Sequence, residues 1–424
     1  MSDDLGELSA SSERALAKIE CEEHAPIEVD GFAISRTFRP KDTTALGHGL
    51  SQLAGSGLGV LVRGGATSLL QGNPPRRADL FVSTERIVGV DEFDSEDGVV
   101  HVRAGTPLES LREEAEARGW EVPLDPPGTG TTLGGVLARA AAGPRELGFG
   151  PVRRAVLGLD VVLASGTPTH CGGRVVKNVT GFDLAKLYVG SFGTLGVIDG
   201  AWLRLRPRPE AVRTIRARSR DRSTLLEFAL RAARRPTARA AGVLCLDAFA
   251  VAEEGEPGVW HFIGEWAGEK NAVFRDAEWA LEEAEDATEF ESGTDWLRNI
   301  QAEVPGPGGL RLRLSTLPSR LLQASRELSG VARAQLIYPG QGTLFAFARA
   351  QDFEALSASC RKVVSETAGS RHRASYCFEA LGLDAKRRGD VFAEPGAEGK
   401  ILSSLKDRFD PEGLLNPGRA RGRL

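Results

Sequence analysis

Three stretches of this 424-residue chain put small residues and hydroxyls where backbone N–H groups gather around an anion. RGGATS, Arg63 to Ser68, follows an apolar run, and its small residues let successive N–H groups converge while Thr67 and Ser68 add hydroxyl donors. A diphosphate is a natural occupant; the competing reading is a tight turn that needs positive φ at Gly65. In TGTTLGGVLARAAAGP, Thr131 and Thr132 precede a short alanine-rich helix, with Gly134 and Gly135 in its first turn and Gly143-Pro144 as its stop. Such a helix start offers N–H groups and a positive dipole end to phosphate, whereas close helix packing explains the same glycines without a ligand. VVKNVTGFDLAKLYVGSFGTLGVIDG sets two glycine turns around a short helix, and by residues alone it reads equally as loop packing, with Lys177 a solvated charge.

Groups for acid–base chemistry are scarce. Arg371, His372 and Arg373, followed by Glu379, are the nearest cluster of cation and base, although a histidine between two arginines also suits a surface. Five scattered cysteines contain no CxxC pair and the histidines no HExxH, so neither an iron–sulfur cluster nor a metal site is expected in this chain. No GxxxxGK[ST] occurs, which excludes a P-loop.

The elements that must position these residues follow from periodicity. Strands are predicted for GLGVLVRGG, FVSTERIVGV, VVHVRAG, AVLGLDVVLASG and GVIDGAWLRLRP. In the last, Val197, Asp199, Ala201 and Leu203 point one way and Ile198, Trp202 and Arg204 the other. Residues 106–119 form an amphipathic helix with Thr106 as N-cap. RPRPE, near 206–210, reads as a linker, and beyond it helices alternate with strands such as VLCLDAFAV, LRLRLS and TLFAFARA. The expected organisation is α+β throughout: an extension over 1–27, a first domain over 28–209, a mixed α+β domain over 210–373 and a tail over 374–424 that returns to the first domain. A net charge of −5 gives no reason to expect nucleic acid, and with no long apolar run and an acidic start the chain reads as cytoplasmic, without a transmembrane segment.

Taken together, RGGATS, TTLGGVLARAAAGPRE, VLGLDVVLASG, GGRVVKNVTGFDLAKLYVGSFGTLGVI and LLNPGR resemble the PCMH-type FAD-binding domain of the vanillyl-alcohol oxidase superfamily, and within it the GlcE-type subunits of glycolate oxidase. The likeness runs from about Leu58 to Pro209, thins through the second domain, where an FAD-linked oxidase C-terminal-like fold is implied, and returns at the end. It implies that Arg63, Gly64, Gly65, Ala66, Thr67 and Ser68 wrap the FAD diphosphate, and that Thr132, Leu133, Gly134 and Gly135 contact flavin and phosphate. Gly143 and Gly150 would shape the neighbouring loop, Gly196, Val197 and Ile198 would meet the adenine half, and Asn416 would lie near the isoalloxazine. Ala66 stands where covalent members carry a flavin-linking histidine, so the FAD is expected to be non-covalent; Phe182 replaces a common tyrosine.

The resemblance implies an FAD oxidoreductase acting on the CH–OH group of a small 2-hydroxy acid, as one subunit beside a homologous catalytic FAD subunit and an iron–sulfur subunit. It also implies a cytoplasmic place, peripheral at the inner membrane where such partners hold it. A self-sufficient FAD oxidase or dehydrogenase of an alcohol, sugar or hydroxy acid is the alternative, and a flavin-less assembly module a weaker one.

Overall fold

The computed structural model describes residues 9–174, 183–245, 258–291, 293–303, 308–367, 372–396 and 398–423. Lys177, Phe182, Arg371 and the end of the expected strand at 246–251 lie outside the described residues.

Helix α1 (Ala10–Leu16) leads into β1 (Cys21–Val29), β2 (Phe32–Phe38), α2 (Thr43–Leu53), β3 (Val60–Arg63) and β4 (Leu80–Ser83), whose strands form a sheet in the order β1-β2-β4-β3. Residues 10–27 thus do more than extend the chain. Ala15 and Ile19 share a core with Leu46 and Leu50 of α2, and β1 is the sheet's edge, where its glutamates and Pro26 are tolerated.

A second, antiparallel sheet comes from β5 (Val90–Asp94), β6 (Val99–Arg103), β8 (Val156–Val162), β9 (Pro168–Gly172) and β10 (Val197–Arg204), in the order β5-β6-β10-β8-β9. Between β6 and β8 lie α3 (Leu108–Ala117), β7 (Trp120–Glu121), α4 (Leu133–Arg139) and α5 (Glu146–Phe149); α6 (Ala185–Tyr188) precedes β10, and β11 (Arg206–Pro207) pairs with β7.

Four local expectations need correction. FVSTERIVGV is not one strand: a turn closed by Ile87 N–H on Thr84 C=O sends β4 to the first sheet and β5 to the second. A bulge between Ile198 and Gly200 breaks the alternation of β10, so Ile198 joins Ala201 and Leu203 under the helices while Val197 enters the first core. Thr106 does not cap α3; its hydroxyl accepts from Gly89 N–H and donates to Gly89 C=O. Finally, α4 ends at Ala140, left-handed at φ 52°, before Gly143 is reached.

The second domain is one eight-stranded antiparallel sheet with helices between its strands. In chain order it contains β12 (Ala211–Ser219), α7 (Arg222–Ala232), β13 (Ala238–Cys245), β14 (Trp260–Gly268), α8 (Lys270–Glu283), β15 (Thr288–Glu289), α9 (Asp295–Ala302) and β16 (Gly309–Ser315). There follow α10 (Leu321–Leu328), β17 (Ala334–Tyr338), β18 (Thr343–Arg349), α11 (Phe353–Ser365) and β19 (Ser375–Ala380). The strand order is β15-β12-β14-β13-β17-β18-β16-β19. Period-two alternation divides its faces: Leu310, Leu312 and Leu314 of β16 pack with α7, α8, α10 and α11, while Leu336 and Phe345 pack with Leu297 and Ile300 of α9. The 374–424 stretch first completes this sheet with β19 and only then, through α12 (Leu383–Arg388) and α13 (Glu398–Phe409), reaches the first domain.

Polar contacts join the domains. Glu265 on β14, 1% exposed, accepts from Arg145 Nε (2.9 Å) and Nη2 (3.0 Å) of the first domain and from Arg239 beside it. Gln301 donates to Ala142 C=O, and Gln341 to the carbonyls of Gly143 and Pro144. No described helix is long and apolar enough to cross a membrane.

Candidate cofactor cleft and its annex

A cleft of about 410 Å³ opens where β3 ends, within the range of small-molecule and cofactor sites. One wall is the loop after β3, from Arg63 to Ser68; the other combines Pro126 to Thr132 with α4, and Ala302 and Arg311 of the second domain close it. The two loops touch so tightly that a Cβ on Gly64 would sit 2.1 Å from Thr132 Oγ1, and one on Gly65 2.1 Å from Gly130 C=O. The left-handed residue of the turn is Ala66, φ 58°, and not Gly65.

This geometry leaves donors free. Among the described residues, the N–H groups of Ala66, Thr67 and Ser68 have no protein acceptor, and neither does Gly135 N–H at the start of α4. The other N–H groups of that helix start are consumed by protein: Leu133 N–H donates to Thr106 C=O and Gly134 N–H to Ala104 C=O (2.7 Å). Buried Thr131 Oγ1 and Arg63 Nε, both in the wall, lack any partner. Orphaned polar atoms beside four free N–H groups are the fit a polyanionic cofactor requires.

Asn416 reaches the cleft because the tail lays Leu415 parallel to Val60. Its N–H donates to Val60 C=O, its Oδ1 accepts from Val62 N–H (3.0 Å) and its Nδ2 donates to Phe192 C=O (2.7 Å). Two ion pairs, both largely buried, fix this tail: Lys386 Nζ lies 2.8 Å from Asp30 Oδ1, and Lys406 Nζ bonds Asp410, Thr194 C=O and Leu415 C=O.

Of the residues expected to meet the cofactor, Arg63 to Ser68, Thr132, Gly135 and Asn416 line the cleft, and Leu133, Gly134, Gly143, Gly150, Gly196, Val197 and Ile198 do not. Leu133, Val197 and Ile198 are core side chains, Gly150 closes α5, and the remaining three glycines allow close packing against Ala104, Asp125 and Val161.

A small polar annex of about 30 Å³ adjoins the cleft, sharing Gln71, Arg139 and Phe192 with it. Arg139, at the far end of α4, donates to Ser68 Oγ (3.0 Å) and Gln71 Oε1 (2.6 Å). From the second sheet come Arg313, Tyr338, Cys377 and Glu379, and from α5 Glu146. Glu379 is buried with its Oε1 3.0 Å from Arg313 Nε and its Oε2 3.3 Å from Arg311 Nε. Burial works against its ionisation, but Arg313, Arg139 and Arg311 outweigh it and hold the carboxyl below the ordinary range. Of the expected Arg–His–Glu cluster, Arg371 lies outside the described residues and the other two differ in setting: Glu379 is buried on β19, and His372 is exposed at the surface. Arg139, Arg311 and Arg313 are the residues that sequence reasoning missed. LRLRL carried the signal for two of them, since alternation that buries its leucines must set its arginines together on the other face.

Fold and cleft together fit a domain for a dinucleotide-type cofactor, with unpaired loop amides beside the space. Residues 34–172 match the family described as "FAD binding domain", and the chain carries an FAD-binding domain. Mitochondrial D-2-hydroxyglutarate dehydrogenase of Bos taurus is 37% identical over 197 residues, 45% of this chain and 36% of that protein. Glycolate oxidase subunit GlcE of Escherichia coli K12 is 36% identical over 159 residues (37% and 45%), and D-lactate dehydrogenase of Archaeoglobus fulgidus 34% over 184 residues (43% and 41%). The chain thus matches less than half the length of each of these relatives. Among solved structures, alkyldihydroxyacetonephosphate synthase superposes with a TM-score of 0.68 at 14% identity, over 91% of this chain and 76% of that one, a likeness of fold.

Proposed function

We propose that this chain is a non-covalent FAD oxidoreductase acting on a small 2-hydroxy acid, working as a GlcE-like flavoprotein subunit of a larger assembly. The observation that carries the reading is the annex: cationic side chains, Arg139 and Arg313, line a space beside an FAD-binding cleft, and Arg313 is paired through Nε with Glu379. Such a guanidinium suits a substrate carboxylate, and Arg139 stands across the same space. The relatives named for D-2-hydroxyglutarate, D-lactate and glycolate support that substrate class.

The free N–H groups of Ala66, Thr67, Ser68 and Gly135 would hold the diphosphate, and Asn416 would fix the loop beneath it. Bound FAD supplies the two-electron acceptor. This chain's residues orient the acid by its carboxylate and keep bulk water from a narrow annex. The five cysteines are scattered with no CxxC pair, which supports onward transfer through a second flavoprotein and an iron–sulfur protein, with O2 as the acceptor in a self-sufficient enzyme. Anaerobic mixing of the FAD-loaded protein with glycolate and with D-lactate tests this: bleaching of the flavin by either is expected. Bleaching by neither, with or without co-purifying proteins, overturns the reading.

A further inference from the structure

The annex also indicates where the substrate's hydroxyl proton goes, an inference that rests on the function proposed above. Its titratable groups are nearly all committed. Glu379 is ion-paired with Arg313 (3.0 Å) and with Arg311 (3.3 Å), although its Oε2 accepts no hydrogen bond; Arg139 is bonded to Ser68 and Gln71; Tyr338 donates its hydroxyl to Gln301 Oε1 (2.8 Å). Burial pushes the Cys377 thiol up to about 12, which leaves it protonated and inert. Glu146 is the exception. It begins α5, held by its N–H on Gly143 C=O and by Gly150 N–H on its own carbonyl, so its backbone is fixed from both sides. Glu146 lines the annex, and among the described residues its carboxylate accepts no hydrogen bond and makes no ion pair.

We propose that Glu146 is the proton acceptor of the reaction. Oxidation of a 2-hydroxy acid to the 2-oxo acid removes a hydride from carbon and a proton from oxygen. With FAD bound as the hydride acceptor, the O–H bond would break toward Glu146, whose carboxylate would leave the step as a neutral acid. The surroundings favour a base here, because burial raises the affinity of Glu146 for a proton while Arg313 and Arg153 pull it back, and the ionised Glu379 and the cation Arg139 stand in the same annex. Glu379, held ionised by three arginines, is the poorer base of the two. The annex, about 30 Å³, has room for about one water, so even the smallest 2-hydroxy acid must move its walls to enter.

The test uses the FAD-loaded protein and oxalate, a two-carbon acid with no C–H bond to give up. Calorimetric titration in two buffers of different ionisation enthalpy counts the protons taken up on binding. The wild type is expected to take up close to one proton near neutral pH, Glu146→Asp to keep the uptake, and Glu146→Gln to lose it while melting and holding FAD like the wild type. In anaerobic mixing with glycolate, Glu146→Gln should slow flavin reduction by about 10² to 10⁴-fold and flatten its pH profile. Undiminished proton uptake and an unchanged reduction rate in Glu146→Gln overturn the assignment of the base. A wild type that neither binds oxalate nor is reduced by a 2-hydroxy acid instead overturns the function on which it rests.

Discussion

Ala66 decides how the flavin is held. Among the described residues that line the cleft there is no histidine, cysteine or tyrosine, the side chains able to form a flavin linkage, so acid precipitation should leave the yellow colour in the supernatant. Colour in the pellet would contradict this. Gly65→Val tests the loop itself: with its Cβ driven into Gly130 C=O, the two cleft walls must part, so FAD retention should be lost and the apoprotein should weaken by about 1–3 kcal/mol. An apoprotein that melts like the wild type would show that the loops tolerate the side chain. A third prediction concerns pH. His101, nearly buried on β6, is 2.7 Å from Asp160 and 3.0 Å from Asp91, and Asp160 also meets His170 at 2.6 Å, with Arg103 beside Asp91. The Asp160 hydrogen bond raises His101 above its usual 6.5 against the effect of burial, while the His101 bond takes Asp160 down from 3.8 to about 2. The histidine contribution is complete below pH 6.5 and lost as pH rises through the folded value; the aspartate contribution is complete above pH 3.8 and lost as pH falls toward 2. Melting temperature should therefore decline on the alkaline side, and His101→Gln should flatten that decline. At this scale the sequence placed RGGATS at the cleft but could not separate glycines with unpaired amides from packing glycines, because Gly134 and Gly135 are neighbours of one type whose amides differ only in whether a carbonyl from β6's exit reaches them.

Strands and helices were legible where one period dominated. LRLRLS and TLFAFARA became β16 and β18 because one face of each is uniformly apolar, whereas β1, an edge strand bearing glutamates at 22, 23 and 28, offers no such stripe. The identity of the cleft's second wall was not readable, since it depends on how two domains dock. That docking turns on Glu265 of β14, enclosed by Arg145 and Arg239. Glu265→Gln would leave two guanidiniums without their shared counter-ion, a loss of about 3–5 kcal/mol, and should split a single melting transition in two. A single transition at the wild-type temperature would show that the domains are joined by other means.

Across the whole molecule, the chain crosses between domains and comes back. PCMH-type domain, mixed second domain and returning tail are legible in outline, but not that β19 belongs to the second sheet or that Lys386 and Lys406 fasten the return, because lone lysines in a sequence resemble solvated charges. Truncation after Phe409 should abolish FAD binding while leaving the second sheet's strands in place, readable as lost flavin fluorescence quenching with near-native circular dichroism; retained FAD would contradict it. The strand partner of β3 also sets a schedule. Val62 and Asn416, joined at 3.0 Å, lie 354 residues apart, so a ribosome adding about 5–20 residues per second needs about 20 to 70 s between making one and the other. Throughout that interval the edge of β3 lacks its tail partner and the cleft beside it stands open. Flavin capture is accordingly expected only once the tail has been made, so nascent chains stopped before Asn416 should not retain FAD.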